Sequence, residues 1–183
     1  MNLAELLAGP VLDAATSLLG RQLTSTVGGT TASVTLTEVE AYGGEDDPAS
    51  HAHKGPTPRT EVMFGPPGGL YVYRSYGIHW CMNIVCGVEG SAQAVLLRGG
   101  VPVAGVDLMV ARRGRSINLA DGPGKLCQAL GVSGDQNESN VFDGPITISG
   151  EPVPGSIESS PRIGISKAMD RPWRFVLKPA IGD

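Results

Sequence analysis

Aromatic side chains are scarce in this 183-residue chain, at 5%, and charged residues make up only 17%. Neither a charge-laced helical bundle nor a highly charged disordered chain has that composition. Cysteine is limited to Cys81, Cys86 and Cys127; an odd count without a C-x-x-C pair argues against a disulfide framework and a zinc knuckle and fits a reducing compartment. No apolar run reaches the roughly 18 residues of a membrane span, and the first residues show no basic stretch leading into an apolar core and cleavage site. The expectation is a soluble, unprocessed, cytoplasmic protein. Basic excess is missing too: 14 Lys and Arg face 18 Asp and Glu, a net charge of -4 with a pI near 5.3. Bulk charge therefore announces neither nucleic acid nor an anionic membrane as partner.

Glycine and proline, by contrast, are plentiful, with 26 and 14 copies, and hydrophobic residues reach 41%. The glycines follow no period, which excludes collagen. Turns at this density point to short strands, and the length suits one domain, 1–183, around one core.

Along the chain, Pro10 to Leu19 places Val11, Ala15, Leu18 and Leu19 on one helical face before Gly20. Residues 21–43 read as strand, turn at Gly28-Gly29 and strand, with Val34, Leu36, Glu38 and Glu40 on one face. Residues 43–67 carry Pro48, Pro56, Pro58, Pro66 and Pro67 without a period and form a long loop, a length usually tied to function. Leu70 to Tyr76, His79 to Cys86 and Ala92 to Arg98 alternate and form an antiparallel meander. Helical spacing returns over Pro102 to Arg113 and Lys125 to Leu130, and Val141 to Lys178 reads as short strands and turns. The expected fold class is α+β: a curved, mainly antiparallel β-sheet core with a few short helices.

Charge is unevenly placed. Residues 51–130 carry a local +4 and the remainder -8, so an acidic protein can still present a basic face. Gly122-Pro123-Gly124-Lys125 opens a helix with free N–H groups and a lysine, suited to a phosphate but lacking P-loop spacing.

Three features could carry chemistry. Glu40 ends an apolar strand face and can be read as a desolvated carboxylate fit to act as a general base or as an ordinary solvated strand-end glutamate. His51 and His53 follow Glu45, Asp46 and Asp47, a loop that can be read as a metal site or as solvated charge. Tyr71, Tyr73 and Tyr76 are three of only four tyrosines, the fourth being Tyr42; such a concentration serves either as core pairs or as a platform for a nucleobase.

The ordered blocks TEVEAYG (37–43), His51, TPR (57–59), MF (63–64), GGLYVYRSYG (68–77), CMN (81–83), VLLR (95–98) and GPGKLCQAL (122–130) resemble the alkyladenine DNA glycosylase family, including its bacterial members. The resemblance runs from the opening helix to about Lys178. It implies a monofunctional enzyme that flips alkylated or deaminated purines out of double-stranded DNA and hydrolyses the N-glycosidic bond. It implies Glu40 as the residue activating water and Arg98 as its partner near a phosphate. Tyr42, His51 and Tyr73 match the base-sandwiching pocket, and Asn83 matches the pocket residue that disfavours guanine. Tyr76 matches the side chain wedged into the duplex, and Arg59 and Lys125 fall in blocks beside the DNA backbone. Arg74, Ser75 and the Ile78-His79 pair depart from the family pattern. The implied protein needs no metal or other cofactor, touches no membrane and works as a monomer, nucleoid-associated in a bacterium.

Overall fold

The computed structural model describes residues 2–180. A helix absent from the sequence reading comes first: α1 (Leu3–Ala8) is capped reciprocally, Asn2 Oδ1 accepting from the Glu5 N–H at 2.9 Å and Glu5 Oε2 from the Asn2 N–H at 3.0 Å. The expected amphipathic helix follows as α2 (Val11–Leu18), burying Val11, Ala14, Ala15 and Leu18. After β1 (Gln22–Ser25) the chain turns at Gly28 and Gly29, both at positive φ, into β2 (Ala32–Tyr42).

β2 is the spine. A meander of β3 (Leu70–Ser75), β4 (His79–Cys86) and β5 (Gln93–Ala104) lies along one of its edges, β5 pairing with it from Ser33 to Tyr42. Its other edge is shared: β1 pairs with Ala32 to Thr35, and a late strand, Arg174–Pro179, pairs with Glu38 to Glu40. The remaining strands are β6 (Ile146–Ser149), outside β1, and β7 (Gly155–Ser160), which pairs with that late strand, β8. The result is one eight-stranded, all-antiparallel curled sheet with its main path in the order β3-β4-β5-β2-β1-β6. Helices α3 (Val106–Arg113) and α4 (Pro123–Leu130) cover it, contributing Met109, Leu126, Cys127, Ala129 and Leu130 to the main core.

Two expectations need correction. The helix read from Pro102 starts only at Val106, because β-branched Val101 and Val103 continue the strand where β2 offers partners, Thr35 to Val101 and Val34 to Pro102. Gly105 then turns the chain at φ +70, where a Cβ would stand 2.4 Å from the Thr31 carbonyl oxygen. The second correction concerns the face of β2. Ala32, Val34 and Leu36 belong to the core, yet beyond Leu36 it is Val39 and Ala41 that do. The pairing with β5 breaks register between Leu36 and Glu38 and again between Glu38 and Val39. A one-residue slip exchanges the two faces of a strand. Glu40 and Tyr42 thus leave the face of Val34 and Leu36, and Tyr42 lines a cavity on the other side.

Candidate active site

Glu40 is completely buried although its side chain is a carboxyl group, and its surroundings explain how. Oε2 accepts the Tyr42 O–H at 2.8 Å, Oε1 accepts the backbone N–H of Ile163 at 2.8 Å, and the Arg98 Nη1 lies 3.3 Å from Oε1. A buried carboxylate without such donors would be prohibitively unstable. Tyr42 is in place because it sits two residues along the same strand; Arg98 arrives from β5, two residues beyond Leu96, the partner of Glu40 across the ladder. Glu38 steadies Arg98: its Oε1 accepts from both Arg98 Nε and Arg174 Nε at 2.7 Å.

The electrostatics follow from these contacts. Burial pushes the Glu38 carboxyl up, but the Arg174 and Arg98 guanidiniums outweigh it and hold it below its ordinary range. Burial works against the Arg98 charge, and Glu40 with Glu38 more than restores it. Burial, reinforced by Glu40, drives the Tyr42 phenol far up, so it remains a donor.

In front of this carboxylate lies an open cavity of about 700 Å³, walled by Tyr42, His51, Tyr71, Tyr73, Asn83 and Arg98 among others. Tyr71 and Tyr73, on one face of β3, stack with ring centres 5.3 Å apart, and His51 meets Tyr73 edge-on at 4.6 Å. His51 Nδ1 lies 3.0 Å from the Tyr71 hydroxyl. Enclosure by these rings, with the nearby Arg59 charge, lowers the His51 pKa below the ordinary 6.5 and favours the neutral imidazole. Asn83 Nδ2 donates to the Tyr71 carbonyl at 3.0 Å, fixing the amide in the wall. Arg59 stands with its guanidinium carbon 5.2 Å from the Tyr73 ring centre.

At the mouth, Tyr76 occupies the tip of the β3–β4 hairpin at φ +50 and is 91% exposed. Arg59, Arg74, Arg98 and Lys167 all line the cavity, and among the described lining residues none is Asp or Glu. A chain of net charge -4 thereby offers a cationic opening.

Of the residues singled out from sequence, Tyr42, His51, Arg59, Tyr73, Tyr76, Asn83 and Arg98 border this one cavity; Glu40 does not line it but is held by its lining residues Tyr42, Arg98 and Ile163. Lys125 is not in its wall; its ammonium pairs with Asp121 at 3.0 Å, although neighbouring Pro123 reaches the rim. The metal reading of the acidic loop does not assemble. His53 Nδ1 contacts the Glu45 carbonyl at 2.6 Å and Asp47 is engaged by Arg162, and no group of three His, Cys, Asp or Glu suited to a metal occurs among the described residues.

Sequence reasoning missed Ile163, whose N–H holds Glu40, and with it Arg162 and Trp173. They lie in the stretch read only as short strands and turns. No local spacing marks them, since each acts through contacts with residues over 100 positions away, Trp173 by its carbonyl, which accepts from the Ala41 N–H at 2.8 Å.

A slot of aromatic rings, a cationic mouth and a buried carboxylate suit a hydrolase that works on bases of a polyanionic strand. Sequence comparison reaches the same class independently, and more narrowly. Residues 5–180 match the methylpurine-DNA glycosylase family. A protein of Frankia casuarinae, provisionally named 3-methyladenine DNA glycosylase, is 50% identical, covering 92% of this chain and 84% of its own. Proteins with the same provisional name are 48% identical in Cutibacterium acnes, over 92% of both chains, and 50% identical in Methanoculleus marisnigri, over 78% of both. The chain belongs to the methylpurine-DNA glycosylase family, and is thus a DNA N-glycosylase, a hydrolase of DNA repair.

Proposed function

We propose that the protein flips an alkylated or deaminated purine (3-methyladenine, 7-methylguanine, hypoxanthine or etheno-adenine) out of duplex DNA and hydrolyses its N-glycosidic bond with a water activated by Glu40. The observation that carries this reading is the carboxylate of Glu40, buried and held by two hydrogen-bond donors and the Arg98 charge, all three from residues that line an aromatic cavity. A carboxylate offers about four lone-pair sites, so two hydrogen bonds leave it able to accept from a water. As the water oxygen bonds to C1′, its proton passes to Glu40 and the electron pair of the breaking C1′–N bond leaves with the base. Positive charge develops on the sugar in this step, and a fixed carboxylate beside it lowers the barrier. Water is the nucleophile rather than a lysine amine, so the product is an intact abasic site.

Recognition follows from the same cavity. Tyr42, His51 and Tyr73 supply faces and edges for the extruded ring, and aromatic faces favour a purine made cationic by alkylation. Asn83, fixed by the Tyr71 carbonyl, crowds the exocyclic amino group of guanine. Tyr76, projecting from its hairpin, fills the gap left in the stack. Arg98 serves both Glu40 and a phosphate, while Arg59 and Lys125 approach the DNA backbone, Lys125 exchanging Asp121 for it. We take the chain to act as one domain and as a monomer, in the compartment that holds the nucleoid, without metal or cofactor.

The test is base release from duplexes carrying one hypoxanthine or one etheno-adenine, with EDTA present and alkali added afterwards. Alkali-dependent cleavage at the lesion, lost in Glu40→Gln, is expected. Strand cleavage without alkali, or restoration by a divalent ion of activity abolished by EDTA, would overturn the mechanism.

A further inference from the structure

A buried ion pair stands next to the proposed base without taking part in the chemistry. Arg162 is 5% exposed and Asp47 fully buried. The two form a fork, Nη1 to Oδ2 at 2.5 Å and Nη2 to Oδ1 at 2.9 Å, joining segments 115 residues apart. Nη1 also donates to the Ala41 carbonyl at 2.9 Å, between Glu40 and Tyr42 in the chain. The guanidinium carbon lies 4.6 Å from the Tyr42 ring centre and 5.3 Å from that of Trp173. Arg162 does not line the cavity whereas Tyr42 does, so the cation backs the ring from the side away from it. The next residue, Ile163, gives its N–H to Glu40 Oε1.

Asp47 is held as firmly from its own side, accepting the Gly43 N–H at 3.1 Å and the Ala49 N–H at 3.2 Å. Burial pushes its carboxyl up, yet Arg162 and these N–H donors hold it below its ordinary range. The pair therefore ties three things together: the 43–49 loop that leaves the end of β2, the backbone between Glu40 and Tyr42, and the strap at 162–163 that closes over Glu40. A buried ion pair contributes little net stability compared with apolar residues of the same volume.

We infer that Arg162 and Asp47 are positioning residues for the glycosylase reaction: their fork fixes the strap so that the Ile163 N–H aims at Glu40, and fixes the ring of Tyr42 whose hydroxyl grips the other oxygen. This rests on the reading of Glu40 as the base. Lysine at 162 keeps the charge but not the planar fork, so the strap loosens while the cavity and its mouth persist. Misplacing a reacting group by an ångström costs on the order of 100-fold in rate.

The experiment is single-turnover release of 7-methylguanine, a cationic base that leaves readily, by Arg162→Lys and Asp47→Asn, each in the native and the Glu40→Gln background. Lesion-duplex affinity and thermal unfolding are measured alongside. Expected in the native background is a loss of release on the order of 10- to 100-fold, with affinity within about 3-fold of the native protein. In the Glu40→Gln background, release should change less than about 3-fold, because the group being positioned is gone. Equal proportional losses in both backgrounds, or a loss confined to affinity, overturn the proposal. An unchanged rate in Glu40→Gln alone sinks the assignment of the base instead, which separates the two failures. Should a single variant not fold, Asp47→Glu with Arg162→Lys retains opposite charges and is expected to show the same rate loss. Native rates in that double variant overturn the proposal, and so does failure of all three to fold, which would assign the pair to stability alone.

Discussion

The Tyr42 hydroxyl donates to Glu40 Oε2 at 2.8 Å from two residues further along the same strand. One side chain thus presents a ring to the cavity and a proton to the carboxylate behind it. The alternation of side chains along one strand puts the pair together, since residues i and i+2 share a face.

Replacing Tyr42 by Phe keeps the ring and removes that donor. A hydrogen bond to a charged group is worth about 1.5–3 kcal/mol, so base release should fall by roughly one to two powers of ten. Lesion affinity should hardly move. Equal losses in rate and affinity, measured by single-turnover kinetics and fluorescence anisotropy, would mean that only the ring matters.

Removing Glu38 acts on the same site from one step further away. Glu38→Ala leaves Arg98 and Arg174 without their shared acceptor. Because Glu38 is partly solvated, a loss of about 1–2 kcal/mol of stability is expected, with a larger proportional loss of base release as Arg98 swings from Glu40. Chemical denaturation and release assays on one preparation check this. Unchanged release would show that Arg98 stays in place unaided.

At the hairpin tip, Tyr76→Ala should leave the unfolding midpoint unchanged, for the side chain is 91% exposed. Affinity for a lesion duplex should drop by about 1–3 kcal/mol, the worth of one stacked base, and affinity for undamaged duplex much less. Titrations of both duplexes at one salt concentration decide, with equal losses excluding the wedge.

Acid should loosen the aromatic wall through His51. Its folded pKa lies below the ordinary 6.5, so the unfolded chain binds the proton more readily. The stability linked to this residue is complete above about pH 6.5 and is lost as pH falls through the lower folded value. His51→Gln should flatten that part of the profile, seen as a smaller change in denaturation midpoint between pH 7.5 and 5.5 (about two pH units across the imidazole range). An identical slope in the variant would place the titration elsewhere.

Lys167 borders the cavity in a loop that no sequence motif marked. If DNA phosphate meets this rim, Lys167→Gln should reduce the slope of log affinity against log salt by about 0.9, equally for damaged and undamaged duplex. An unchanged slope would remove Lys167 from the backbone track.

Much of this molecule was legible in the chain as written. The meander from Leu70 to Arg98, the helix at Val11 and the concentration of tyrosines are local patterns of period or composition, and local patterns survive translation into structure. The antiparallel α+β class followed from them, and the ordered blocks from Thr37 to Leu130 led to the family that the full comparison bears out. What only the tertiary structure decided is which of those residues meet, and from which side. The register breaks beside Glu38 send Glu40 to the cavity rather than to the face of Val34 and Leu36. Arg162 and Ile163 reach Glu40 and its neighbours from more than 120 residues away. A sequence displays spacing along one line, whereas a buried charge is stabilised by whatever donors the folded chain brings within hydrogen-bond reach, and those are set by sheet register and loop closure over distances that no local window spans.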